Sequence, residues 1–109
     1  MNRFEVKFSN EAANFLANID DNAREKVIYN IRKVQVLNDS RLFKKLTNEI
    51  WEFRTLYNKK YYRLFAFWGS SSKKDSIVIV AHGIVKKTSK IPSKELKKTI
   101  LIKRQYLNK

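Results

Sequence analysis

The stretch IWEFRTLYNKKYYRLFAFW, residues 50–68, decides the fold. Its residues alternate with a period of two, the spacing of a β-strand. Trp51, Phe53, Thr55 and Tyr57 point one way, and Ile50, Glu52, Arg54 and Leu56 the other. Asn58-Lys59 breaks the run, and because asparagine tolerates positive φ the break reads as a tight turn. Beyond it Tyr62, Leu64, Ala66 and Trp68 oppose Tyr61, Arg63, Phe65 and Phe67. The stretch is therefore a β-hairpin, rich in aromatic rings and carrying two arginines mid-strand.

Working outward, Gly69 to Asp75 is a polar loop, and Ile77 to His82 is apolar and β-branched, as an interior strand should be. Gly83 marks a bend or a close backbone approach. Lys86 to Lys90 reads as a basic loop, and Pro92 sits where a last helix starts, with Leu96, Ile100 and Leu107 along one side. Upstream, Phe4, Val6 and Phe8 alternate as a strand, and Ser9 is placed to cap a helix whose apolar face is Ala12, Phe15, Leu16 and Ile19. Asp20-Asp21-Asn22 ends that helix and caps a second, striped by Ala23, Val27, Ile31 and Val34 and ending near Asn38-Asp39-Ser40. The predicted order is βααβββα. This is an α+β fold in a single domain, residues 1–109, whose antiparallel-rich sheet of about four strands has a helical hairpin and a C-terminal helix on one face.

The charge has a direction along the chain. The net +14 falls wholly in residues 41–109, because residues 1–40 hold equal numbers of basic and acidic side chains. Such a field attracts polyanions, nucleic acid first among them. Several chemistries lack their residues. With no cysteine there is no disulfide framework or thiolate metal site. One histidine and scattered carboxylates give no metal-ligand spacing, Ser70-Ser71-Ser72 lacks the glycines of a nucleophile elbow, and no glycine-rich loop is present to cradle phosphate. The longest apolar run, Ile77 to Ala81, is too short to cross a bilayer, and the opening Met1 to Glu5 has no apolar signal. The expectation is a cytosolic protein with no cofactor, no metal and no membrane partner.

Arg54 and Arg63 interrupt aromatic strands. A guanidinium on a buried face is costly unless paired, so both are expected on the open face of the sheet, where truncation costs little stability. There they either pair with Glu52 or form a phosphate-binding surface, since arginine forks bind phosphate and neighbouring rings stack on bases. Lys60, Tyr61 and Phe65 extend that surface along the second strand, and Lys86, Lys87 and Lys90 follow the third. His82 either fills a structural position or, with a side-chain pKa suited to neutral pH, serves as a proton acceptor.

The strings Ile50 to Arg54, Tyr62 to Phe65, Ile79 to Thr88 and Lys90 to Pro92, taken in order, resemble the HigB branch of the RelE/ParE toxins, often labelled phage-derived killer protein. The resemblance spans nearly the whole chain. One departure is Ile91, where a serine or threonine before the proline would cap the last helix. The resemblance implies a RelE-like fold and the toxin of a type II toxin–antitoxin pair. Its cognate antitoxin would be acidic and of the helix-turn-helix type. It implies a metal-independent endoribonuclease that cuts messenger RNA on the ribosome by driving a 2′-hydroxyl against its adjacent phosphate. Arg54 and Arg63 would hold the phosphate, Lys86, Lys87 and Lys90 would grip RNA or ribosome, and His82 and Glu52 would be the candidates for the base. Two other readings stay open: a ParE-like toxin that inhibits DNA gyrase by binding protein, and a non-catalytic RNA-binding module.

Overall fold

Local signals set the helices. The computed structural model describes residues 3–70, 76–88 and 90–108, so most of the polar loop (71–75) and Ser89 of the basic segment lie outside the described residues. Strand β1 (Glu5–Phe8) leads into α1 (Asn10–Ala17), whose first turn is capped by Ser9 Oγ accepting from the Ala12 N–H at 3.0 Å. Asp20 does the same for α2 (Asp21–Val36), accepting from Ala23 N–H at 3.1 Å. Arg24 reaches back to the carbonyls of Leu16 and Ile19, which closes the helical hairpin.

The central hairpin pairs β3 (Trp51–Tyr57) with β4 (Lys60–Ser70). Asn58 and Lys59 both hold positive φ, 50° and 64°, the geometry that matches a two-residue turn to the twist of its strands. The register places Arg54 directly opposite Arg63. β4 pairs antiparallel with β5 (Ile77–Lys86), and β1 adds to β5 in parallel, Glu5 opposite Ile77. A further strand, β2 (Phe43–Lys45), pairs with the start of β3, giving a mixed five-stranded sheet ordered β1-β5-β4-β3-β2. Sequence periodicity does not show β2, because three residues are too few to display alternation; Phe43 secures it by stacking on Phe53 at 4.4 Å and on Trp51 at 4.8 Å.

The sheet is covered on both faces, which corrects the expectation of helices on one. On the first face the stripes of α1 and α2 bury Phe53, Tyr62, Leu64, Ala66, Val78 and Val80. On the second, α3 (Ser93–Leu107) lies over Phe67, Ile79 and Ala81 through Ile102. The cap position of α3 falls on Pro92 rather than on residue 91, and the apolar proline side chain makes no cap hydrogen bond. The inward side of α3 is also not the expected one. Glu95 and Thr99 are its buried residues, whereas Leu96 and Ile100 are half-covered and Leu107 is exposed. Three aliphatic residues on one helix side suggested burial, but the sheet beneath offers His82 as a polar partner, and Thr99 meets it.

Gly83 lies in β5 under the ring of Phe15, and a Cβ built there would stand 2.6 Å from the nearest ring carbon. Gly83→Ala is therefore expected to lower stability by about 1–3 kcal/mol through overpacking, read by chemical denaturation. A second change, Phe15→Leu, should recover part of the loss.

Candidate functional site

The strands deliver one carboxylate to two guanidiniums. Glu52, Arg54 and Arg63 project from β3 and β4 on the second face, beyond the reach of α3's apolar contact. Glu52 Oε2 accepts from Arg63 Nη1 at 2.6 Å, and Glu52 Oε1 accepts from Arg54 Nε at 3.0 Å. The Arg63 guanidinium also lies over the Tyr61 ring, 5.2 Å from its centroid. Lys86 is opposite Tyr61 in the ladder and joins the same end of the face.

Exposure divides these residues. Glu52 and Arg63 are fully buried, whereas the Arg54 side chain keeps 29% of its surface. The expectation that both arginines stand on a solvated face is thus corrected for Arg63. The physical premise, that a buried guanidinium must be paired, holds; the partner is Glu52, which serves both arginines at once. Arg54 spends only its Nε on that carboxylate, and no described residue accepts from its terminal nitrogens. Arg54 lines a cleft of about 570 Å³ between α2 and the edge of β3 past the end of β2. Lys26, Tyr29 and Lys33 of α2 line its other wall. Sequence reasoning missed this wall, although residues 26, 29 and 33 recur at helical spacing and so share one face. Arg41 closes the end of the cleft and chelates Asp39 at 3.2 Å, which holds that carboxyl below the usual carboxylate range.

His82 sits elsewhere, under α3. The Thr99 hydroxyl donates to the Glu95 carbonyl at 2.8 Å, so its oxygen is left to accept, and His82 donates from Nε2 at 2.9 Å. Its Nδ1 is buried with no hydrogen-bond partner among the described residues. Burial pushes the ring below the usual histidine pKa, opposed in part by the hydrogen bond to the Glu95 carbonyl; Lys98 lowers it further and the Glu11 and Glu95 carboxylates raise it. Phe65, expected on an RNA-contacting surface, is completely buried and packs on the His82 ring at 5.1 Å. A side chain so covered cannot stack on a base. Lys60, Lys87 and Lys90 are exposed, and Lys86 and Tyr61 are half-covered. The structure thus gathers Glu52, Arg54, Tyr61, Arg63 and Lys86, and leaves His82 behind Phe65.

The model of the family described as Phage derived protein Gp49-like (DUF891) matches residues 14–102. The chain belongs to this family. Gp49-like proteins are associated with toxin–antitoxin toxins, and the matched residues include the second half of α1, all of α2, the arginine pair and most of α3. A comparison with curated proteins found no match. Among the described residues of this Gp49-like chain, no helix is long and apolar enough to cross a membrane, and no group of three or more His, Cys, Asp or Glu side chains is placed to hold a metal ion.

Two outcomes follow for the Gp49-like site. Arg63→Ala leaves the Glu52 carboxylate buried with one partner fewer, and should cost about 3–5 kcal/mol of stability, measured by urea titration. The histidine adds a pH dependence. Its folded pKa lies below the unfolded one, so its neutral form favours the fold; the contribution is complete above the unfolded value of about 6.5 and declines as pH falls below it. Unfolding midpoints should therefore drop between about pH 7 and 5. His82→Gln, which keeps an N–H donor toward Thr99 and cannot titrate, should flatten that part of the profile.

Proposed function

We propose that this chain is the toxin of a type II toxin–antitoxin system and a HigB-like, RelE-type endoribonuclease of messenger RNA. The observation that carries the reading is Arg54, a guanidinium oriented by a buried carboxylate through its Nε and standing on the wall of an open, basic cleft. Fixed, partly desolvated cations of this kind act most strongly on charge that develops during reaction. In RNA cleavage the ribose 2′-oxygen bonds to the adjacent phosphorus and the bond from phosphorus to the 5′-oxygen breaks. The products are a 2′,3′-cyclic phosphate and a 5′-hydroxyl, the proton passing from the 2′-oxygen to the departing one by way of a base and an acid. Arg54 binds the phosphate and stabilises the charge on its non-bridging oxygens in the transition state.

The other residues act around it. Arg63 and Glu52 are positioning residues: Arg63 anchors the carboxylate that orients Arg54. Lys86 adds positive charge at the same end of the face, and Lys60, Lys87 and Lys90 are exposed for contact with RNA or ribosome. His82 holds α3 in place through Thr99. With Glu52 accepting on both oxygens and His82 enclosed, alignment of the 2′-hydroxyl falls largely to the ribosome, the natural platform for a cutter of translated messenger. The basic donor set supports a reaction without metal. An excess of positive charge suits an acidic antitoxin as the restraining partner, whose attraction weakens with salt.

Primer extension on total messenger RNA after brief induction tests the reading. Site-specific cuts are expected, and cutting in a purified translation system should persist with EDTA when polyamines keep ribosomes assembled. Arg54→Ala should fold, because Arg63 still neutralises Glu52, and should cut about 100-fold or more slowly. Intact messenger with DNA damage would point to gyrase instead, and the absence of both cuts and damage would point to a binding module.

A further inference from the structure

The cleft beside Arg54 has a composition that the cleavage step does not use. Lys26 and Lys33 stand on its α2 wall, Arg41 at its end and Arg54 on its strand wall. Its carboxylate, Asp39, is already engaged by Arg41 through two hydrogen bonds to the side chain and one to the backbone N–H. The cleft therefore presents positive charge with little internal compensation. Two tyrosines complete it. Tyr29 is 60% exposed with the Lys26 ammonium 5.3 Å from its ring centroid, and Tyr61 lines the opposite wall.

We infer that this cleft binds a stretch of single-stranded RNA leading to the phosphate held by Arg54, with phosphates on Lys26, Lys33 and Arg41 and bases against Tyr29 and Tyr61. Cations interleaved with rings are what an unpaired strand requires, because each nucleotide offers a charged phosphate and a π-face. A duplex hides those faces, and an acidic peptide has no use for them. The size of the cleft falls in the range of clefts that enclose small ligands, enough for a short segment rather than a helix. The inference deepens the nuclease reading and rests on it in one respect: Arg54 is shared between the cleft and the reacting phosphate.

Binding can be measured apart from cutting. A fluorescent oligoribonucleotide with 2′-O-methyl groups lacks the attacking hydroxyl, so anisotropy with the purified chain reports affinity alone. The variants are Lys26→Ala with Lys33→Ala, and Tyr29→Ala, all at exposed or half-covered positions that leave the core intact. The lysine pair should weaken binding about 10-fold or more at low salt. It should also lower the slope of log affinity against log salt by roughly 0.7 for each phosphate no longer neutralised. Tyr29→Ala should weaken single-strand binding about 5-fold or more and leave the duplex form of the same oligonucleotide nearly unaffected. Lys94→Ala with Lys97→Ala removes equal charge from the exposed side of α3 and serves as the control.

Equal losses for the cleft and α3 pairs would overturn the inference, reducing it to general charge. So would cleft variants that hold RNA normally and lose only an acidic antitoxin. A chain that never cuts messenger yet binds the oligonucleotide through Tyr29 and the lysine pair would uphold the cleft and overturn the nuclease reading. A chain that cuts, with cleft variants binding and cutting like the parent, would overturn the cleft alone.

Discussion

A single buried carboxylate organises the working end of the sheet. Glu52 has no exposed surface and accepts from two arginines, one on its own strand and one across the ladder. An ion pair so placed gives little net stability, because the desolvation of both charges offsets their attraction. Its effect is on geometry. The register that sets Arg54 against Arg63 would otherwise force two like charges together, and Glu52 converts that repulsion into a shared bridge. The register, the tight turn and the orientation of Arg54 are then mutually dependent.

The acidic side chains of this protein are largely absorbed by such duties. Asp20 caps α2, Asp21 pairs with Arg24, Asp39 with Arg41, Glu11 with Lys98 and Glu49 with Lys103. The last two tie α3 to the rest of the molecule at either side, and the His82–Thr99 contact ties it from below. The consequence is a surface whose negative charge is tied locally and whose positive charge is not. That is why the first forty residues, neutral in sum, still contribute Lys26 and Lys33 to a basic wall: neutrality along the chain is not neutrality in space.

Much of the fold was legible because its signals are local. Caps at Ser9 and Asp20, the stripe of α2 and the Asn58-Lys59 turn each need only a few neighbouring residues, and each stands as read. The close approach at Gly83 was also visible, although its partner Phe15, far away in sequence, was not. What escaped depends on tertiary context. β2 is three residues long and exists through Phe43 stacking on the next strand. The side that α3 turns inward was decided by a histidine on β5 rather than by its own leucines. For the site, the residue types were readable and their exposure was not: pairing with Glu52 made burial of Arg63 acceptable, and Phe65 went under with His82. The α2 wall of the cleft shows no motif, since lysines and a tyrosine on a helix face look like ordinary solvated surface.

The parallel pairing of β1 with β5 bears on the order in which the chain acquires its shape. Glu5 meets Ile77 and Phe8 meets Val80, so the first strand has no ladder partner until some seventy further residues exist. The helical hairpin and the β3–β4 hairpin can form from neighbours; β1 must wait, and contacts of that sequence separation slow folding. During synthesis Phe4 is consequently parted from Trp68, against which it finally rests at 5.3 Å, and the aromatic interior stays open at one edge. The arginine bridge, built within twelve residues of chain, can assemble before the sheet around it is complete. In the growing chain, the charged centre precedes the scaffold's last seam.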